Sequence, residues 1–266
     1  MIIFIVPSYN EEKNIGLLME KTKKKMDELI YQYKIVIVND GSTDKTIEII
    51  ESFKEHMPVE VISHYPNKGV KEAFAKGFKY ALEIAKDDDI IVTKEADNSS
   101  NLNILETMIK NVEKGEDVVL ASCFAKDGKI ENATFDRLFL SWCANTLIKM
   151  FFHMPAINTF SSFYRAYNVG SLKRAFFAYD EKLLTYNGFV TVVEMLIKLN
   201  RLPVRISEVP MVLYDSRVGE SKMIKYQTIW GYFKLIWYEL SRNRKLDDLV
   251  LKRFQSYSHD ANYIKK

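Results

Sequence analysis

Four short, mainly apolar runs, each followed by a polar loop and a segment of helical periodicity, constrain the fold of this chain more than any other feature. The runs lie at residues 2–6, 34–38, 59–62 and 90–92. Such runs are typical of strands that are buried on both faces of a sheet. Strand and helix alternate at intervals of about thirty residues, which is the pattern of a parallel sheet with right-handed crossovers. We therefore expect an α/β fold with a mostly parallel sheet flanked by helices.

The polar loops of this pattern each follow a strand directly. Parallel strands end at one edge of their sheet, so we expect the loops that carry Asp40, Asn67 and Asp97 to lie together. The alternative is that each of these residues only caps the helix that follows it. Capping would explain why each residue is polar, but it would not explain why all three lie at the same edge. The convergence favours a ligand site at the carboxyl edge of the sheet.

Glu95 and Asp97 stand one residue apart just after the run 90–92. At the end of a strand both carboxylates can face an open crevice, where they are suited to hold a hard divalent cation against a diphosphate. The alternative is a solvated acidic turn, which is the commoner explanation of an isolated pair of this kind. The other polar loops at the same edge favour the cation.

Composition bounds the class of protein. With 266 residues, 47% of them apolar, the chain can form one large α/β domain and is not of the disordered type. Residues 201–266 hold 13 Lys and Arg against 7 Asp and Glu. Charge alone does not choose between nucleic acid, anionic lipid and a phosphate-bearing substrate as the partner of this basic part.

The compartment can be predicted from cysteine usage and hydropathy. Cys123 and Cys143 have no metal-like spacing, so we expect a reducing, cytoplasmic environment. The apolar start of the chain is stopped by Pro7 and is too short for a signal peptide. No run approaches the roughly 20 apolar residues of a membrane span, so we expect any membrane contact to be peripheral.

Four separated motifs lie in order along the first hundred residues. They are Pro7-Ser8-Tyr9-Asn10-Glu11, Val38-Asn39-Asp40-Gly41-Ser42-Thr43-Asp44, Asn67-Lys68-Gly69 and Glu95-Ala96-Asp97. Their order and spacings resemble family 2 glycosyltransferases of the GT-A fold. The likeness extends over residues 1 to about 225 and points to the polyprenyl-phosphate branch, typified by the dolichyl-phosphate mannosyltransferases.

The resemblance implies a donor site for a nucleotide-diphosphate sugar, either a GDP-sugar or a UDP-sugar. It implies Mg²⁺ or Mn²⁺ on Glu95 and Asp97, and it implies no nucleic acid partner. The nucleotide-binding set carried over by the motifs consists of Pro7, Tyr9, Glu11, Asp40, Asn67, Lys68 and Gly69.

On the acceptor side, residues 134–157 are expected to form an aromatic amphipathic interface helix, either as core or in a lipid headgroup layer. The resemblance implies that it rests on the membrane and that Arg137 and Ser141, one helical turn apart, contact the acceptor phosphate. A second helix, with Trp230 and Trp237 before a basic cluster, suits anionic lipid or packing on the domain. We expect a GT-A domain over 1–225 and a helical extension over 226–266.

Two further motifs resemble the family's second half. Arg217-Val218-Gly219-Glu220-Ser221-Lys222 resembles a loop whose arginine and lysine close over the diphosphate, and Glu194 belongs to a G-F-x-x-x-x-E element. Other positions depart from the pattern. The first metal ligand is Glu95, Ser99 replaces a glutamine, and Cys123 replaces an arginine directed at phosphate.

Three functional hypotheses follow. The leading one is an inverting transfer of a hexose to a polyprenyl phosphate, with Arg217, Lys222 and the cation stabilising the departing nucleoside diphosphate. The alternative is transfer to a saccharide hydroxyl, with Glu194 as the general base. The third, of another class, is a catalytically degenerate nucleotide-sugar-binding or membrane-associated partner protein. A separate membrane subunit is an open expectation in each case.

Overall fold

A mixed sheet with helices on both faces forms the fold. A computed structural model describes residues 1–132, 135–214, 225–241 and 244–257 of the chain. The strands are β1 Ile2–Ser8, β2 Tyr33–Asn39, β3 Val59–Ser63, β4 Ile90–Thr93, β5 Val118–Ser122, β6 Lys129–Glu131, β7 Arg165–Asn168, β8 Ile206–Pro210 and β9 Val212–Tyr214. The α-helices are α1 Ile15–Leu29, α2 Thr46–Glu51, α3 Val70–Ile84, α4 Leu105–Glu113, α5 Phe135–Phe151, α6 Val169–Tyr179, α7 Val190–Asn200, α8 Lys225–Ser241 and α9 Arg244–Ser256.

Seven strands form the main sheet in the order β3-β2-β1-β4-β7-β5-β8. β1 is parallel to β2 and β4, and β2 is parallel to β3, so the first four strands end at one edge. β7 is antiparallel to both of its neighbours, and β5 is parallel to β8. β6 and β9 pair separately. The prediction of a mixed, mostly parallel sheet flanked by helices is confirmed.

The sheet separates two hydrophobic cores because alternate residues of its strands face opposite sides. In β1, Ile3 and Ile5 belong to the core that contains α3, α6 and α7. Ile2 and Phe4 belong to the core that contains α1 and α4. Since both faces are covered, the central strands β1, β2 and β4 are mainly apolar, as the sequence predicted.

Gly77 lets α3 lie close to the sheet. A Cβ atom at this position would stand 2.5 Å from Cγ2 of Ile5 and 2.9 Å from Cγ2 of Val38. Only glycine fits this approach without movement of the strands. The close packing brings the N-terminus of α3, at Gly69, to the sheet edge beside the end of β2.

Two features connect the ends of the chain to the rest of the fold. The first helix begins at Ile15, after a polar loop over residues 10–14 that is hydrogen-bonded to the loop after β2. α9, within the predicted helical extension, packs on α6 with Phe254 buried under the Arg174 guanidinium, 4.6 Å from the ring centroid.

The C-terminal helices share a core with the rest of the fold. Leu235 of α8, and Val250 and Phe254 of α9, belong to the same hydrophobic cluster as α3, α6 and α7. The division of the chain into a domain over residues 1–225 and an extension over residues 226–266 stays a prediction. Within the described residues, no helix is long and apolar enough to cross a membrane.

Candidate active site

The loops after β1 and β2 are joined by hydrogen bonds. The backbone N–H of Glu11 donates to Oγ1 of Thr46 at 2.8 Å, and that of Thr43 donates to Oδ1 of Asn10 at 2.8 Å. Tyr9 lies on the same loop and is partly exposed, while Pro7 forms part of β1 itself. The structure therefore brings the predicted first-loop residues to the edge of the sheet, next to the second loop.

Asp40 organises the loop that precedes α3. Its carboxylate accepts from the backbone N–H of Lys68 at 2.7 Å and from that of Gly69 at 2.9 Å. The side-chain amide of Asn67 donates to the Asp40 carbonyl at 3.1 Å. These four residues, predicted as one nucleotide-binding set, do lie together, and the buried carboxylate holds the Asn67–Gly69 backbone in place.

Gly41 is required beside this carboxylate. Its φ is +75°, and a Cβ atom would stand 2.9 Å from the backbone nitrogen of Asn67. A side chain would be strained in this left-handed conformation and would collide with the loop. The glycine therefore permits the close approach on which the hydrogen bonds of Asp40 depend.

His64 was not predicted as a site residue. Its Nε2 lies 2.5 Å from Oδ1 of Asp40, and its backbone N–H donates to the Asn39 carbonyl at 3.2 Å. The imidazole is largely buried. The one signal in the sequence was its place directly after the third apolar run, at the edge where the other polar residues converge.

The Glu95–Asp97 loop begins where β4 ends, and both carboxylates are partly exposed. The Ser100 hydroxyl donates to Oε2 of Glu95 at 2.7 Å. The backbone N–H and the hydroxyl of Ser99 donate to Oδ1 of Asp97 at 3.0 and 2.6 Å. Ser99, which replaces the family's glutamine, thus orients a carboxylate of the loop.

Asn98 ties this loop to the first one. Its side-chain amide donates to the Asn14 carbonyl at 2.8 Å, and its own φ of +57° lies in the left-handed region that asparagine tolerates. The predicted nucleotide loops and the predicted metal loop therefore form one hydrogen-bonded edge of the sheet.

A buried lysine precedes the two carboxylates. Lys94 is 1% exposed, donates to the Ser100 carbonyl at 2.8 Å, and lies 4.9 Å from the ring centroid of Tyr164. Burial lowers the pKa of Lys94, while the charges of Glu95 and Asp97 act in the opposite direction. Nothing in the sequence distinguished this lysine from a solvated one.

The donor set at Glu95 and Asp97 fits a divalent cation that is shared with a substrate. Among the described residues, no group of three or more His, Cys, Asp or Glu side chains converges as a metal cage. Mg²⁺ is commonly held by one or two carboxylates together with water and substrate phosphates. Two hard carboxylates on an open edge match that mode of binding.

Glu194, the predicted general base, is enclosed within the protein, and its catalytic role stays a prediction. Its side chain is 0% exposed and forms an ion pair with Lys198, four residues along α7. Its carboxylate also accepts from the backbone N–H groups of Thr185 at 2.8 Å and Tyr186 at 2.9 Å, and from the Thr185 hydroxyl. A base must reach a substrate proton, and this carboxylate is enclosed by protein groups.

The phosphate-binding arginine missing at Cys123 is not supplied by Arg165. Arg165 is fully buried, and its guanidinium donates to the carbonyls of Ser162 at 2.8 Å, Phe160 at 2.7 Å and Val192 at 2.8 Å. Cys123 is itself buried beside Thr159. Arg165 therefore anchors the turn before β7 and serves no substrate.

The predicted interface helix forms as α5. Ser141 lies one turn after position 137 in this helix, whereas the Arg137 side chain, like Arg217 and Lys222, lies outside the described residues. Several large aromatic side chains of α5 and of the neighbouring α8 face solvent, with Phe135 78% and Trp237 79% exposed. These exposed side chains are Phe135, Phe139, Trp142, Trp230, Phe233 and Trp237.

Comparison with known proteins gives consistent matches. The family model described as Glycosyl transferase family 2 matches residues 3–176. The chain is 28% identical over 251 residues to a protein named dolichol-phosphate mannosyltransferase from Pyrococcus furiosus, covering 92% of this chain but 65% of that relative. It is 26% identical to an undecaprenyl-phosphate mannosyltransferase from Micrococcus luteus, covering 84% of this chain and 87% of that protein.

A solved structure shares the fold. It is a glucosyl-3-phosphoglycerate synthase from Mycobacterium tuberculosis in complex with Mn²⁺, uridine diphosphate and phosphoglyceric acid. The TM-score is 0.59 at 14% identity, and the match covers 97% of this chain and 80% of that one. At this identity the likeness concerns the fold alone.

Proposed function

This chain belongs to glycosyl transferase family 2 and has the GT-A fold, and we propose that it transfers a hexose from a nucleotide-diphosphate sugar to a polyprenyl phosphate. The observation that carries the donor half of the proposal is the joined edge of the sheet. There the loop that carries Glu95 and Asp97, the loop of Asp40 and the first loop are connected by hydrogen bonds. The relatives named for polyprenyl-phosphate mannosyl transfer support the acceptor half.

On the donor side, the loop fixed by Asp40 would hold the nucleoside together with Pro7, Tyr9 and Glu11. Glu95 and Asp97 would hold Mg²⁺ or Mn²⁺ against the diphosphate. When bound there, the cation would neutralise the negative charge that develops on the nucleoside diphosphate as it leaves. Arg217 and Lys222, which lie outside the described residues, would contribute positive charge to the same group.

On the acceptor side, the reaction needs positioning more than proton transfer. A phosphate monoester is ionised near neutral pH, so one of its oxygens can attack the anomeric carbon directly while the bond to the diphosphate breaks. A single displacement of this kind inverts the configuration at that carbon. The enclosure of Glu194 favours this acceptor over a saccharide hydroxyl, because transfer to a hydroxyl requires a base.

The membrane contact would be made by α5 and α8. Their exposed aromatic side chains form apolar surface next to the predicted acceptor residues Arg137 and Ser141. Aromatic side chains of this kind partition into the lipid headgroup layer. A polyprenyl phosphate lies with its phosphate at that depth, so peripheral attachment on the cytoplasmic face would bring acceptor and donor together.

The test is a transfer assay with purified protein, Mn²⁺ or Mg²⁺, a short-chain polyprenyl phosphate, and a panel of GDP- and UDP-sugars. We expect a polyprenyl-phosphate sugar as product with one class of donor. We expect Arg137→Ala to abolish transfer while nucleotide binding, measured by calorimetry, is retained. Lys114→Ala, which removes an exposed cation just after α4, is the control.

Two outcomes would contradict the proposal. Nucleotide-sugar binding without transfer or hydrolysis of any donor would favour the catalytically degenerate binding protein. Efficient transfer to an oligosaccharide together with full activity of Arg137→Ala towards lipid would favour a saccharide acceptor.

A further inference from the structure

The segment that follows α5 is held by a carboxylate of the main sheet. Glu208 lies in β8 and is half-buried. Its Oε1 atom accepts from the backbone N–H groups of Asn158 and Thr159, both at 2.8 Å. Its Oε2 atom accepts from the side-chain amide of Asn158 at 2.9 Å. Both carboxylate oxygens of Glu208 therefore hold residues 158 and 159 in place.

This segment is in turn bonded to α5. The Lys149 ammonium donates to Oδ1 of Asn158 at 3.0 Å. The backbone N–H of Phe160 donates to Oδ1 of Asn145, which is 9% exposed, at 3.2 Å. Because Asn145 and Lys149 are four residues apart, they lie on the same side of the helix. Two contacts that are one turn apart fix the rotation of α5 about its axis.

The rotation of α5 bears on the predicted acceptor residues. Ser141 lies one turn before Asn145, and Arg137 lies one turn before Ser141. The position of each residue around a helix is set by its distance along the chain, at 3.6 residues per turn. The contacts at positions 145 and 149 therefore also set the direction in which the helix presents position 141.

Thr159 connects the same segment to the donor edge. Its hydroxyl lies 2.7 Å from the hydroxyl of Ser122, the last residue of β5, and accepts from the backbone N–H of Phe124 at 3.3 Å. β7 is antiparallel to both β4 and β5, so β4 and β5 run in the same direction and end at the same edge. The segment therefore joins α5 to the edge that carries the Glu95–Asp97 loop.

We propose that Glu208 is a positioning residue for the acceptor. Through Asn158 and Thr159 it holds α5 at a fixed rotation and distance from the donor edge, so that the acceptor phosphate meets the anomeric carbon of the donor in line with the bond that breaks. The inference rests on the function proposed above, in which α5 carries the acceptor residues. Glu208 acts through the segment that it holds and does not contact a substrate.

The hydrogen bonds from Lys149 through the Asn158 amide to Glu208 form a relay with a fixed direction. An ammonium only donates and an ionised carboxylate only accepts, so the amide between them has one satisfactory orientation. In Glu208→Gln, the remaining oxygen can still accept from the two backbone N–H groups, but the new amide nitrogen faces the amide nitrogen of Asn158. In Glu208→Gln/Asn158→Asp, the carboxylate at position 158 accepts from both neighbours, which restores the relay.

The first measurement is hydrogen–deuterium exchange of the full chain, followed by mass spectrometry. We expect Glu208→Gln to increase exchange over α5 and residues 155–160 and to leave exchange over β1, β2 and β4 unchanged. We expect the double variant to return exchange over α5 to that of the unaltered chain. Glu106→Gln, which removes an exposed carboxylate of α4 that pairs with Lys110, is the matched control and should not affect α5.

The second measurement is the steady-state kinetics of transfer to a short-chain polyprenyl phosphate. We expect Glu208→Gln to lower kcat/KM for this acceptor by about 10- to 100-fold, the usual effect of a displacement of about 1 Å between reacting groups. Mn²⁺-dependent binding of GDP or UDP, measured by calorimetry, should stay unchanged, because the donor loops do not depend on the relay. The double variant should recover most of the lost kcat/KM.

Three results would overturn the inference. The first is unchanged exchange over α5 in Glu208→Gln. The second is increased exchange with an unchanged kcat/KM for the polyprenyl phosphate. The third is a loss of nucleotide binding as large as the loss of transfer, or no recovery in the double variant, either of which would indicate a general structural role. The absence of transfer to polyprenyl phosphate by the unaltered chain would instead contradict the proposed function itself, and this inference with it.

Discussion

Replacing Glu194 by glutamine tests whether this residue is structural or catalytic. The carboxylate is 0% exposed and faces the Lys198 ammonium, which also donates to the Lys182 carbonyl at 2.6 Å. Glutamine has nearly the same shape and keeps an oxygen for the Thr185 and Tyr186 N–H groups. The substitution therefore removes the negative charge while it preserves most of the packing.

The expected effect on stability is large. Removal of one partner of a buried ion pair costs about 3–5 kcal/mol, because the other charge stays buried and now faces a neutral amide. For a domain of this size, 1 kcal/mol corresponds to about 2–4 °C in Tm, so we expect a decrease of about 6–20 °C. Glu194→Gln/Lys198→Met should recover most of this loss, since neutral replacements of a buried pair are often close to neutral in free energy.

The assay combines thermal unfolding, followed by circular dichroism, with transfer activity measured well below Tm. We expect Glu194→Gln to lower Tm and to leave the kcat of the folded protein unchanged with both lipid and oligosaccharide acceptors. An unchanged Tm together with a severe loss of transfer would refute the structural role and restore Glu194 as a base. A double variant no more stable than the single one would refute the coupling to Lys198.

Three further predictions concern the site and the surface. Asp97→Asn should weaken Mn²⁺-dependent binding of a nucleoside diphosphate by at least about tenfold in calorimetry, because one hard ligand is lost, and should not affect binding in EDTA. His64→Ala removes a partner of the Asp40 carboxylate, so it should lower nucleotide affinity more than global stability, and equal affinity would contradict its positioning role. Trp230→Ala/Trp237→Ala should reduce cosedimentation with anionic liposomes, whereas recovery of the unaltered protein in the supernatant would exclude membrane attachment through α8.

Much of the fold and of the donor edge could be predicted from local patterns. The apolar runs at 2–6, 34–38 and 90–92 formed strands at those places because a strand buried on both faces has to be apolar along its length. Once these strands are parallel, their following loops meet at one edge. The proximity of Asp40 to the Asn67–Gly69 loop follows from this geometry.

Features that depend on the packing of distant segments were not predicted. α9 lies within the predicted helical extension, but its docking on α6 through Val250 and Phe254 was not predicted. His64 meets Asp40 because β2 and β3 are neighbours, which a single histidine in the sequence does not indicate. Glu194 matched a motif in spacing, but its enclosure follows from the burial of α7 on all sides over residues 190–199.

The local order of apolar and polar residues was therefore enough to predict the first four strands, the edge at which their loops converge, and the residues that the loops carry there. The local order of residues did not predict which charged side chains are buried. Lys94, Arg165 and Glu194 each look like ordinary polar residues in the sequence, yet each is buried in the fold. Lys94 lies against the ring of Tyr164, and Arg165 donates to the carbonyl of Val192. Whether a charged group meets water, a counter-ion or a substrate depends on what packs around it, and that is a property of the whole fold.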